Sequence, residues 1–186
     1  MVWMDLEMTG LDPEKELIIE IATLVTDGEL NILEEGPCLA IKQSNAILSR
    51  MDAWNTTTHK ASGLTDRVMN SKISCRDAEK ATLDFIKKHC PPEISPLCGN
   101  SIGQDRRFLV KYMTELNDYL HYRSVDVTTL KELIKRWYPE GPKFPKKSGV
   151  HLASVDVKES LEELIFYRKH YICNGVSLPT ANAKTS

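Results

Sequence analysis

Trp3-Met4-Asp5-Leu6-Glu7-Met8-Thr9-Gly10-Leu11-Asp12 decides how the rest of this chain is read. Apolar residues surround two acids, as in a buried strand. Alternate strand residues share a face, so Asp5 and Glu7 point the same way. Two carboxylates on one face repel each other unless cations neutralise them. A solvated edge strand could carry the same two charges idly, but its neighbours would not be apolar.

The chain has 186 residues, 41% of them apolar, which suits one domain with one core. Its net charge of −2 excludes the overall basic field of many nucleic-acid binders. A nucleic-acid substrate would need a local basic patch or bound metals. Cysteines stand at 38, 75, 90, 98 and 173, with no Cys-x-x-Cys pair. That pattern fits reduced thiols in an intracellular protein, cytoplasmic or mitochondrial, better than a disulfide framework or a zinc knuckle. No run reaches the length of a membrane span, and no signal peptide is visible. The abrupt start before Asp5 leaves room for a trimmed organelle address.

Outward from Asp5, residues 17–26 read as a second strand, Asp27-Gly28 as a hairpin turn and 30–41 as a third strand. Together they predict an antiparallel meander. Helices are expected over 44–57, 76–89, 103–117, 129–137 and 152–170, and short strands at 96–100 and 124–127. Residues 138–149, rich in Pro, Gly and Lys, read as a loop. The pattern predicts one α/β domain over 1–173 with a mixed sheet, and a disordered tail over 174–186.

Three more residues complete the candidate set. Asp105 follows Gly99-Asn100-Ser101-Ile102-Gly103 at the start of a helix, at the sheet end where α/β folds bind ligands. A carboxylate there also favours the helix dipole, which is the bland alternative. His151 and Asp156 are five apart, about 140° on a helix, so they share no helical face. Asp156 is therefore placed on the helix and His151 on the loop before it, where Ser148-Gly149 gives backbone freedom. Phosphodiester hydrolysis suits such a set. Two Mg²⁺ or Mn²⁺ ions, about 3.5–4 Å apart, bind the attacking and leaving oxygens. Hard cations prefer carboxylates, and histidine takes a proton near neutral pH.

These residues in this order resemble the DEDDh exonuclease superfamily, and within it the oligoribonuclease family. The resemblance extends through Met51-Asp52-Ala53-Trp54-Asn55, Ala61-Ser62-Gly63-Leu64, Gly99 to Leu109, His121-Tyr122-Arg123-Ser124-Val125-Asp126-Val127, Leu130-Lys131-Glu132-Leu133 and Arg136-Trp137-Tyr138-Pro139. It implies an RNase H-like mixed β-sheet flanked by α-helices. It also implies removal of 5′-mononucleotides from the 3′ end of very short RNAs, dinucleotides above all. Asp5, Glu7, Asp105 and Asp156 would hold two Mg²⁺ or Mn²⁺ ions, with His151 as the base. Leu11 and Trp54 match positions that wedge and stack the bases. Ser101, Arg123 and Thr128 match a cap on the 5′ phosphate, and His59 a position near the substrate phosphate. Tyr122 matches a residue that reaches the other subunit's site, implying a homodimer.

One motif departs from the family. His-Arg-Ala-Leu-Asp-Asp is usual where this chain has His151-Leu152-Ala153-Ser154-Val155-Asp156. Base and ligand stay in register, but Leu152 removes a cation and Val155 a carboxylate beside them. The expectation is that activity survives with an altered metal requirement or rate. Two other readings compete: a catalytically weak homodimer that binds short RNA, and a DEDDh enzyme acting on DNA or longer RNA ends.

Overall fold

The computed structural model describes residues 1–146, 149 and 151–172. The expected tail and Cys173 lie outside the described residues. Strands β1 (Val2–Met8), β2 (Ile18–Thr26) and β3 (Ile32–Ala40) form the expected antiparallel meander. Helices α1 (Asn45–Leu48), α2 (Ala53–Ala61), α3 (Leu64–Asn70) and α4 (Cys75–Ile86) follow. Strand β4 (Pro96–Gly99), helices α5 (Ile102–Tyr112) and α6 (Thr114–Tyr119), strand β5 (His121–Asp126), and helices α7 (Val127–Trp137) and α8 (Ala153–His170) complete the described elements.

The sheet order is β3-β2-β1-β4-β5, with β4 parallel to both β1 and β5. β1 thus divides the antiparallel half from the parallel half. Val2, Met4 and Leu6 pack against Phe85 and Ile86 of α4 and Phe108 and Leu109 of α5. On the opposite face Trp3, Ala22, Leu24 and Cys98 pack against Val157 and Leu161 of α8. Asp5 and Glu7 continue the Trp3 row, so the period of two that buries Trp3 under α8 also aims both acids there.

Several boundaries differ from the sequence expectations. The 44–57 helix divides because Asp52 caps a new one, accepting the Asn55 N–H at 2.7 Å. That start puts Trp54 in the first turn of α2. Residues 62–70, given no element, contain α3, which begins after Gly63 at φ +72. The 103–117 helix breaks at Met113, whose φ of −136 and ψ of 60 are not helical. There the buried Glu79 carboxylate of α4 accepts the Leu116 N–H at 3.2 Å and caps α6 from outside. At the first hairpin Leu30, not Gly28, takes the left-handed position, φ 72. Asp27 organises that turn by accepting the Glu29 and Asn31 N–H groups. β5 begins at His121, three residues earlier than expected. Among the described residues, no helix is long and apolar enough to cross a membrane. Cys38, Cys75, Cys90 and Cys98 are free thiols.

Candidate active site

β4 stops at Gly99 and pairs with β1 only at Val2 and Trp3. Past that point the β4-facing edge of β1 is open. Asp105, in the first turn of α5, fills the gap, its Oδ1 accepting the Leu6 N–H at 2.9 Å. A carboxylate from a helix 99 residues away thereby joins the strand that bears Asp5 and Glu7.

From the other side α8 delivers Asp156 in its first turn, with His151 just before the helix. Gly149 at φ +68 and His151 at φ +52 both have the positive φ of the left-handed backbone region. Ser148 lies outside the described residues. One ligand atom each of Glu7, His151 and Asp156 lies within 4.8 Å of the others. Asp5 and Asp105 are not part of that tight group.

The electrostatics of the cluster fit a cation site. Burial, then the charges of Asp156, Glu20 and Asp105, push the Glu7 carboxyl up to about 8. Burial likewise pushes Asp105 up to about 7, against the opposing Leu6 hydrogen bond. His59 adds a further sign. Its Nε2 lies 3.0 Å from the Met8 carbonyl oxygen, which can only accept, so Nε2 carries the proton. Burial holds this imidazole below its usual pKa. Its buried Nδ1 is therefore a lone pair with no hydrogen-bond partner, 3.9 Å from Glu7 Oε2. Lone pair facing carboxylate is favourable when a proton or a metal ion sits nearby.

The candidate substrate residues are exposed. Leu11 is 70% and Trp54 60% exposed, so Trp54 is not a core aromatic. Gln104 Nε2 donates to the Leu11 carbonyl at 2.5 Å and fixes that loop. The Trp54 ring meets the His151 ring edge-on, centroids 5.3 Å apart. Ser101 and Thr128 come together, Oγ to Oγ1 at 3.1 Å. Arg123 does not join them; its guanidinium lies over the Tyr122 ring, 5.3 Å from the centroid. Tyr122 is 74% exposed on the sheet-edge strand β5.

The sequence profile of the exonuclease family, RNase_T, matches residues 2–164. The oligoribonuclease of Klebsiella pneumoniae is 60% identical over 172 residues, covering 92% of this chain and 95% of that protein. That of Haemophilus influenzae is 58% identical over the same share of this chain and 94% of its own. The chain belongs to the oligoribonuclease family of exonucleases. Its fold also resembles a solved exonuclease I from Methylocaldum szegediense, at a TM-score of 0.67 and 18% identity. That match covers 92% of this chain and 40% of the larger protein.

Several residues of this exonuclease that the sequence left without a role support the candidate positions by hydrogen bonding. Asp126 Oδ1 accepts the N–H groups of Ser101 and Thr128, each at 2.9 Å, and so builds the candidate phosphate cap. Asn100 joins Thr128 to Ser160 and Glu163 of α8. Glu20 is a buried carboxylate paired across the sheet with Glu7. Its signal was available as one acid in the apolar run Ile18-Ile19-Glu20-Ile21-Ala22. A cavity of about 750 Å³ lies elsewhere, lined by Lys131, Tyr138, Phe144 and Tyr167, and is mostly apolar.

Proposed function

We propose that this exonuclease degrades very short RNAs from their 3′ ends, dinucleotides above all, with Asp5, Glu7, Asp105 and Asp156 holding two divalent ions. The convergence of Glu7 from β1, His151 from just before α8 and Asp156 from its first turn is the observation that carries this reading. When bound, Mg²⁺ or Mn²⁺ supplies charge neutralisation at the phosphate and an acidified water. His151 takes the water's proton at the ring nitrogen that converges on the two carboxylates. The oligoribonuclease name of the relatives supports a short RNA substrate.

Trp54 offers an open π-face to any base, which suits a sequence-tolerant site. Its edge contact with His151 ties the placement of the base-stacking ring to that of the proton acceptor. Leu11 wedges between the two bases, and His59, its Nδ1 3.9 Å from Glu7 Oε2, lies near the substrate phosphate. Ser101 and Thr128 close over the 5′ phosphate, and Arg123 leaves the Tyr122 ring to complete that cap with its planar fork. A closed cap limits length, because a longer strand has no exit. Tyr122 projects towards the site of a second copy in a homodimer, and residues 1–173 act as one exonuclease domain.

The test is release of mononucleotides from a labelled dinucleotide with Mn²⁺, compared with RNAs of five and twenty nucleotides and with DNA. Fastest turnover on the dinucleotide is expected, with sedimentation at the dimer mass. No mononucleotide release would favour a short-RNA binder, and equal rates at all lengths would remove the cap.

A further inference from the structure

Every residue of β2 is buried, yet its third residue, Glu20, is an acid and is fully enclosed. A buried carboxylate is costly unless it is paired, and an apolar residue there would serve the core equally well. Its partners show where the interaction goes. Oε2 accepts the N–H of Ala153 at 3.1 Å, from 133 residues away. Oε1 accepts from the Arg67 guanidinium and from the Cys38 thiol. Ala153 is the first residue of α8, two after His151 and three before Asp156. Leu152, the residue at the cap position, gives that helix no side-chain cap. The first N–H groups of a helix need an acceptor, and its positive end favours an anion. Glu20 meets both needs from the strand next to Glu7, in register with it. His151 meanwhile holds a left-handed backbone that a non-glycine residue keeps only when its surroundings enforce it.

We infer that Glu20 is a positioning residue: it docks the start of α8 on the sheet, so that His151 and Asp156 meet Glu7, with Arg67 as its counter-charge. The inference rests on the metal-dependent reading above, and it assigns the geometry of that site to a residue outside the ligand set.

Two variants test it. In Glu20→Gln the side chain keeps one oxygen. The charged guanidinium of Arg67 retains that oxygen, which turns the amide NH₂ towards the Ala153 N–H and breaks the tether. In Glu20→Leu with Arg67→Leu both charges go, so the buried Glu20 position keeps no charge and the half-exposed Arg67 position no unpaired one, and removing both members avoids the cost of breaking the pair. Both variants are expected to speed amide hydrogen exchange at residues 153–156 and to lower kcat on a dinucleotide by about tenfold or more. KM should move by less than about threefold, since no substrate contact is touched. Thermal unfolding confirms that each is folded, and the double variant decides the matter if Glu20→Gln is not. Wild-type kcat in a folded variant would overturn the inference. So would a rate loss without faster exchange, or a change confined to KM. If the wild type itself fails to cleave the dinucleotide, the functional reading falls, and exchange alone still decides the tether.

Discussion

Around β1 the reactive groups are sunk between layers and held by long-range bonds: Asp105 to the Leu6 N–H, His59 to the Met8 carbonyl, Glu20 to the Ala153 N–H. At the surface, by contrast, the candidate substrate residues Leu11, Trp54 and Tyr122 stand exposed, each on a different stretch of chain. The first region holds its acids out of water at a cost: burial first, then neighbouring acids, raises the Glu7 carboxyl to about 8, and burial raises that of Asp105 to about 7. The second carries no buried charge, and its rings touch few partners: Trp54 meets the His151 ring, and Tyr122 meets His121 and Arg123. Changes at the buried end should therefore act on kcat and on metal-free stability, and changes on the exposed face on KM.

The sharpest way to break that contrast is Asp156→Ala, expected to abolish metal-dependent turnover while leaving a folded protein. Unfolding of this variant, seen by circular dichroism, would mean that the acid serves the fold and not the chemistry. His151→Ala comes next. Loss of a general base lowers kcat by about 10²–10⁴-fold while metal and RNA still bind. A titration of dinucleotide binding beside single-turnover rates separates the two quantities.

Trp54→Ala tests the exposed face. One stack is worth about 1–3 kcal/mol, so KM should rise by about 5–150-fold. Because the Trp54 ring also abuts His151, kcat should fall modestly as well. A kcat loss as large as that of His151→Ala would place Trp54 with the buried group and erase the distinction. Smaller still is the effect of restoring the family's residues with Leu152→Arg and Val155→Asp. Groups beside ligands tune metal affinity by about 10–100-fold, so the Mn²⁺ concentration for half-maximal rate should drop within that range. An unchanged metal titration would make the departure silent.

The same contrast explains what the sequence could tell. Asp5 and Glu7 were legible because the strand period of two is local, and the meander of β1 to β3 because its turns are short. His151 and Asp156 were legible as a mismatch to helical spacing, which pointed to a helix starting between them. The break at Met113 was not, because the cap that starts α6 comes from Glu79 on another helix. The split at Asp52 was available in principle, as an acid three residues ahead of Asn55, but weak periodicity over 44–57 hid it. Glu20 and Asn100 escaped for the reason Glu79 did: their partners lie far away in sequence, and only the fold brings the two halves together. Arg123 shows the converse, since a family position alone did not foretell that its guanidinium would rest on Tyr122.

The smallest effect concerns stability, and it follows from the sign of the Glu7 shift. In the unfolded chain this carboxyl ionises near its ordinary 4.5, and in the folded, metal-free protein near 8. Between those values the folded state holds the extra proton, so this group's contribution to stability declines as pH rises through the window. Above it the folded protein carries a buried carboxylate beside Asp156, Glu20 and Asp105, with Arg67 offsetting it only in small part and no metal ion present. Glu7→Gln removes the titration, and Gln keeps the size of the side chain. With a chelator present, the variant should match the wild type at the acid end and exceed it increasingly towards the alkaline end. A gain of ~1–2 kcal/mol corresponds to roughly 2–8 °C in Tm for a chain of this size. Adding Mn²⁺ should reverse the order, because only the wild type has the full set of oxygens to bind it. A Tm difference that stays flat with pH would show that Glu7 is already neutralised without metal, and that burial of the acids costs the fold nothing.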